Sequence, residues 1–255
     1  MLIRTSLPIA AFACRACSLL LTGALIGQAT IFVDVAATSP GNGSVGSPFT
    51  AIASGIAAAN NGDTVAVLPG TYFEHLQIVN KSVNLESTGG ADATIIDGSA
   101  SGTVLRIGGW VSPTISQVAG FTLTNGNGQL SNLLGDPGGL AIDFATVIVT
   151  DCKVINNVAG LGAAGGIQAL GSNLTMVRCE VIGNDGGDTP STKNGLQGRG
   201  GTGGVRFQGV TPTTSILFTM TDCLVRDNIG GDGSPWIFSA GVGGAGGIDA
   251  NTSGI

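Results

Sequence analysis

Charge is scarce in this chain: Asp, Glu, Lys and Arg together make up only 10% of its 255 residues, and there is a single histidine. The ten basic residues do not cluster and the formal net charge is −6. That excludes a nucleic-acid-binding surface, which needs a concentrated basic stripe. Aromatic residues are only 5%, yet 43% of the chain is hydrophobic and 44 residues are glycine. This balance is neither that of a disordered tail nor that of an ordinary helical enzyme. It fits short β segments punctuated by Gly, Asn and Thr, and at this length it suits one elongated domain.

The second half of the chain repeats a phrase three times and begins a fourth: GGLAIDFATVIVTDCKVINN (138–157), GGIQALGSNLTMVRCEVIGN (165–184), GGVRFQGVTPTTSILFTMTDCLVRDN (203–228) and GGIDANTSGI (246–255). Aligned on Cys152, Cys179 and Cys223, the copies place Val154, Val181 and Val225 two residues on, and Asn157, Asn184 and Asn228 five residues on. Val149, Met176 and Met220 stand three residues before, with Val147, Leu174 and Phe218 five before. Apolar positions of period 2 followed by a fixed Asn bend predict a solenoid of stacked parallel strands, in which like residues lie over one another. The Gly-Gly pairs suit a corner that needs either positive φ or close backbone approach. Spacing between the cysteines grows from 27 to 44 residues, so the surplus is expected as loops hung from one edge after the Asn position. An odd number of cysteines in one inward column predicts a ladder of buried thiols, not a disulfide framework, and three in line without His do not make a tetrahedral zinc site.

Residues 1–29 hold Arg4 and Arg15, the run LLLTGALIG and then Gly27, Gln28 and Ala29, which is the layout of an export signal. The run is too short to span a bilayer, and Cys14 and Cys17 precede it instead of following it as a lipidated cysteine would. Without this segment the chain keeps 8 basic and 16 acidic residues, a net charge of −8. IFVDV (31–35) alternates as a strand. Ser47-Pro48 then predicts an N-cap and first helical residue ahead of Phe49, Ile52, Ile56 and Ala59, with Asn60-Asn61-Gly62 as the stop. A short apolar helix ahead of a solenoid covers its first unpaired edge.

GDTVAVLPGTYFEHLQI (62–78), KSVNLESTGG (81–90), ATIIDG (93–98) and GFTLTNG (120–126) resemble the opening coils of right-handed parallel β-helix proteins of the pectin lyase-like superfamily. The resemblance covers residues 31–126, and the later repeats are similar to those of surface-displayed β-helix proteins. It implies an all-β, single-stranded right-handed parallel β-helix over residues 30–255 with a capping α-helix. It does not choose an activity, because one fold hosts many. The polygalacturonase-type Gly-His-Gly and paired Asp are absent, since the only histidine is His75, and the Gln-Asp-Thr-Leu element of pectin methylesterase-like enzymes is absent too.

Calcium-dependent polysaccharide lyases of the superfamily need carboxylates to hold Ca²⁺ and an Arg or Lys to take a proton. Asp151, Arg178 and Asp222 share the column before the cysteines, which reads either as such a site or as a solvated charge ladder. Asp185, Asp188 and Asp232 sit among glycines, where they either ligate Ca²⁺ through side-chain and backbone oxygens or form turns. Trp110, Trp236 and Phe238 fall in loops, where an aromatic ring stacks on a sugar or folds back over the coil.

The reading is an exported surface module, structural or adhesin-like, with polysaccharide as its ligand class. It has no required cofactor and no transmembrane segment once the signal is removed. The alternative is a divergent calcium-dependent, uronate-acting lyase. The fourth repeat stops at Ile255 before its cysteine, so further coils or an anchor are expected downstream.

Overall fold

The computed structural model describes residues 27–38, 41–112, 114–128, 130–131, 134–189, 200–210, 216–233 and 244–251. All but the last three residues of the expected export signal (1–29) lie outside them, as do Trp236 and Phe238. The strands form three parallel sheets around one core. The first sheet has seven strands: Thr30–Val33, Thr64–Val67, Asn84–Ser87, Ile115–Ala119, Thr146–Thr150, Asn173–Val177 and Phe218–Thr221. The second has six: Gly70–Phe73, Thr94–Asp97, Thr122–Thr124, Lys153–Ile155, Glu180–Ile182 and Leu224–Arg226. The third also has six: Leu76–Val79, Leu105–Gly108, Leu140–Asp143, Ile167–Leu170, Val205–Gln208 and Ile248–Asn251. The chain visits first, second and third sheet in turn, and every strand of these three sheets pairs in parallel with its counterpart one coil away; outside them Leu130–Ser131 and Leu134–Gly135 form a two-stranded antiparallel pair. This is the parallel β-helix that the resemblance implies.

Register explains the repeating columns. Val147 pairs with Leu174 and Leu174 with Phe218; Val149, Met176 and Met220 pair likewise, as do Val154, Val181 and Val225. All point inward into one continuous core that also holds Tyr72, Phe121 and Phe207. Cys152 and Cys179 are buried in this core as free thiols, with Cys223 half-buried in the last coil. Burial pushes the Cys152 thiol up to about 11 and the Cys179 thiol up to about 12, because a thiolate there would lose its hydration.

The Asn column is a hydrogen-bonded ladder. Asn157 Nδ2 donates to Asn184 Oδ1 at 3.0 Å and Asn184 Nδ2 to Asn228 Oδ1 at 2.9 Å. The second amide proton of each goes to a main-chain carbonyl, Leu123 from Asn157 and Val154 from Asn184. Each Oδ1 also accepts the main-chain N–H of the residue one coil below, as Asn184 Oδ1 does from Asn157 at 3.0 Å. Asn157 and Asn184 are wholly buried yet fully satisfied, which is the condition for a polar group in a core.

Between the two alternatives for the Gly-Gly corners, close approach decides. None of Gly138, Gly139, Gly165, Gly166, Gly203 or Gly204 has positive φ. A Cβ on Gly165 would lie 2.4 Å from the Asp185 carbonyl oxygen, and one on Gly139 would lie 2.5 Å from that of Gly166. Left-handed backbone instead occurs at the corner before the cysteines, in Gly120, Asp151, Arg178 and Asp222.

The helix differs from its sequence-based bounds. It runs Ile52–Ala58, and Ser47-Pro48 do not open it. The main chain of Phe49 is already committed to the first strand, donating to the Phe32 carbonyl at 2.9 Å and accepting from Asp34 N–H at 2.8 Å. The coil caps the helix instead: Glu74 accepts the N–H groups of Ile52 and Ala53 at 2.8 and 2.9 Å, and Lys81 donates to the Ile56 carbonyl at 2.9 Å. Ile52 and Ile56 are buried, so the helix seals the first coil as expected.

Two tests follow from this core. Replacing Asn184 by Ala strands the Asn157 donors and the Val154 carbonyl, so equilibrium urea unfolding should show a loss of about 3 kcal/mol or more. Iodoacetamide mapping by mass spectrometry at pH 8 should leave Cys152 and Cys179 unmodified in the native protein, label Cys223 faster, and label all three in urea.

Candidate functional site

Among the described residues, cavities lie along the outer face of the third sheet. Along it, one outward column runs Gln77, Arg106, Ala141, Gln168, Arg206 and Asp249 through consecutive coils. Beside it, a second column runs Val79, Gly108, Asp143, Leu170 and Gln208. Three adjoining cavities line this face. One of 220 Å³ involves Gly162, Gln168, Arg206, Gln208 and Val210; one of 280 Å³ involves His75, Gln77, Ser101, Arg106 and Asp136; one of 430 Å³ lies between His75, Gln77 and the helix.

Its walls come from the inserted segments. The loops after the Asn column leave the second sheet and border one side of the third, as the growing repeat spacing predicts. They stack on each other largely through backbone: Gly162 N–H donates to the Gly187 carbonyl at 3.0 Å, and Gly201 N–H to the same carbonyl at 2.8 Å. A Cβ on Gly187 would sit 1.6 Å from the Gly160 carbonyl oxygen, so only glycine permits this stacking. The opposite side, where the chain turns to the first sheet, carries Trp110 and Phe144. These are 49% and 45% exposed, in edge-to-face contact with centroids 6.1 Å apart.

At the centre of the floor, Arg106 bridges two carboxylates. Its Nη1 donates to Asp143 Oδ2 at 2.5 Å and its Nη2 to Asp136 Oδ1 at 2.7 Å. Asp143 is only 6% exposed, and burial raises its carboxyl above the ordinary value of 3.8, against the opposing pull of Arg106. Further along, Arg206 Nη1 donates to the Gly162 carbonyl at 2.6 Å, tying the sheet to the loop wall.

Among the described residues singled out from sequence, Trp110 and the Asp151 column fall in different places. Trp110 is on the rim of this cleft. Asp151, Arg178 and Asp222 stack at the corner between the first and second sheets, away from it. Arg178 Nε and Nη2 donate to the two oxygens of Asp151 at 2.6 and 2.7 Å, and both side chains are more than half exposed. The guanidinium fork holds the Asp151 carboxyl below the usual range. The same bond, with the field of Asp222 adding to it, raises Arg178. Asp188 Oδ1 accepts the Asp232 N–H at 2.7 Å, and burial, with Asp188 beside it, raises Asp185.

Among the described residues no three His, Cys, Asp or Glu side chains gather as a metal-holding group. Nor, among them, is any helix long and apolar enough to cross a membrane.

Arg106, Asp136, Asp143, Gln168 and Arg206 were not found from sequence. They belong to coils of unequal length, and alignment on the cysteines does not reach the third sheet. A polar residue three positions after the first glycine of three of the four Gly-Gly pairs, Gln168, Arg206 and Asp249 but not Ala141, is the signal that points to Gln168 and Arg206.

No family model and no curated protein matches this sequence. Three solved structures are similar in part. A pectin methylesterase in complex with a hexasaccharide matches 75% of this chain and 64% of its own at 11% identity and a TM-score of 0.42. Pectate lyase Pel9A matches 72% and 55% at 13% identity and a TM-score of 0.38. The pectin methylesterase of Aspergillus niger matches 84% and 78% at 13% identity and a TM-score of 0.34. The chain thus spans about two thirds or less of the first two. At these scores nothing about its fold or chemistry rests on the likeness, because the coil is established by its own register.

The buried Asp143 yields a test with a definite sign. Its raised folded value means that the stability it contributes is fully present below 3.8 and is lost as pH climbs through the raised value. Thermal unfolding of wild type and Asp143→Asn between about pH 3 and pH 6 should show this fall in wild type and its absence in the variant.

Proposed function

We propose that this chain is an exported β-helix module that holds an extended polysaccharide along the outer face of its third sheet. The observation that carries the reading is the run of adjoining cavities over Gln77, Arg106, Gln168 and Arg206, with Trp110 and Phe144 along one rim. Coils repeat at about 4.8 Å, so amides and guanidinium groups recur along the cleft at intervals that meet successive hydroxyls and carboxylates of a linear glycan. An exposed indole offers an apolar face to the C–H face of a sugar ring. Asp136 and Asp143 fix the Arg106 fork, so little ordering entropy remains to be lost on binding. Trp236 and Phe238 follow the last Asn in sequence, outside the described residues, and are proposed as further stacking groups.

A second reading, a uronate-acting enzyme, is favoured by the buried carboxyl of Asp143 beside Arg106, an acid with a perturbed proton affinity in a cleft. Isothermal titration of the full chain with polygalacturonate and with a neutral glucan, each with calcium and with chelator, tests both readings. Binding is expected to weaken about tenfold or more in Arg206→Gln and in Trp110→Ala, and to be unchanged in Asp151→Asn. Silence across both glycans would overturn the binding reading. Release of unsaturated ends that stops in Asp143→Asn would establish the enzymatic one.

A further inference from the structure

Next to Arg106 the coil register assembles a group that the polysaccharide reading does not use. His75 immediately precedes the strand Leu76–Val79, and Leu76 N–H donates to the Val104 carbonyl at 2.9 Å, which sets the imidazole against residues 101–103 of the next coil. His75 Nδ1 lies 3.0 Å from the Thr103 carbonyl oxygen and Nε2 lies 3.2 Å from Ser101 Oγ. A carbonyl only accepts, so the neutral imidazole carries its proton on Nδ1 and turns the lone pair of Nε2 to the serine hydroxyl. This is a nucleophile facing a base, with the base oriented by a third group.

The turn that presents Ser101 is strained. Ser99, Ala100 and Gly102 have φ of 50°, 54° and 64°. The Asp97 carboxylate accepts the Ser99 N–H at 2.7 Å and so supports the first of these. Ala100 has no polar side chain to offset its left-handed conformation. The turn is pinned by Ala100 N–H to the Asn125 carbonyl at 2.7 Å and by Ser101 N–H to the Gly98 carbonyl at 2.9 Å. Gly102 leaves room for the imidazole: a Cβ there would lie 3.2 Å from Nδ1. An exposed serine and histidine thus meet within hydrogen-bond reach in the mouth of a 280 Å³ cavity.

We infer that Ser101 and His75 form an acyl-transfer dyad that hydrolyses small O-acyl esters. Ser101 Oγ attacks the ester carbonyl carbon while its proton passes to His75 Nε2. The tetrahedral adduct collapses, the carbon–oxygen bond to the alcohol breaks, and the alcohol leaves with that proton. Water then attacks the acyl-serine and gives a proton to Nε2; the acid departs, and the proton returns to Ser101 Oγ. Gln77 and Arg106, which line the same cavity, bring N–H donors to the side where the carbonyl oxygen gains charge. That the alcohol is a glycan hydroxyl rests on the cleft reading above; the acyl transfer itself does not.

The experiment uses the full chain with a fluorophosphonate probe and with p-nitrophenyl acetate. Peptide mapping should find the phosphonate on Ser101, and ester turnover should fall by about a hundredfold or more in Ser101→Ala and in His75→Gln. Gly102→Ala should lower labelling while Ser101 and His75 are both still present. Failure of the wild type to label at Ser101, or turnover at the wild-type rate in either dyad variant, would overturn the proposal. Polysaccharide titration of the same Ser101→Ala protein reads the cleft separately, so loss of one activity is distinguished from loss of the other.

Discussion

The molecule depends on one constraint: each strand must lie over its counterpart at a single rung spacing, about 4.8 Å, with no slip. The Asn157–Asn184–Asn228 ladder enforces it, because each amide bonds both its neighbour and the main chain of adjacent coils. A shift of one residue would turn buried amides outward and break every bond in the column at once. The apolar columns tolerate exchange of Val for Leu or Met, whereas the polar column reads Asn in all three copies. Directional bonds in a low-dielectric core leave no room for a near fit.

Given fixed rungs, the corners divide the labour. The turn before the cysteines is tight and left-handed, and it leaves its side chains in solvent, where Asp151 and Arg178 pair. The turn after the Asn ladder is where length varies, and its glycine segments stack backbone on backbone into a wall. The third sheet lies between that wall and the aromatic rim, so its outward residues are the ones sheltered enough for Asp143 to be buried and Arg106 to be half-enclosed. Concavity here is a consequence of where insertions are tolerated in a regular coil.

Much of this was legible beforehand, in particular residues. The inward alternation of Val147, Val149, Cys152 and Val154 and the bend at Asn157 follow from a period of two and a repeated polar residue, both local signals. The helix start was misread because Ser47-Pro48 looks like a cap while the Phe49 main chain pairs with a strand far away in sequence, and because its actual cap, Glu74, comes from another coil. The Asp151, Arg178 and Asp222 column was found correctly as a column. Its two readings, site or solvated charge ladder, are not told apart by the repeat, since a charge in a repeat reads the same whether it lines a cleft or a corner.

Sequence alone therefore determined the coil: its period, its core columns, its thiol and amide ladders and the edge that carries the loops, because each of these repeats and stacks on itself. Tertiary structure alone decided which outward face becomes a cleft and which residues meet there. Arg106 with Asp136 and Asp143, and His75 with Ser101, are joined across coils of unequal length. Their pairing is set by distances through space that no local pattern along the chain encodes.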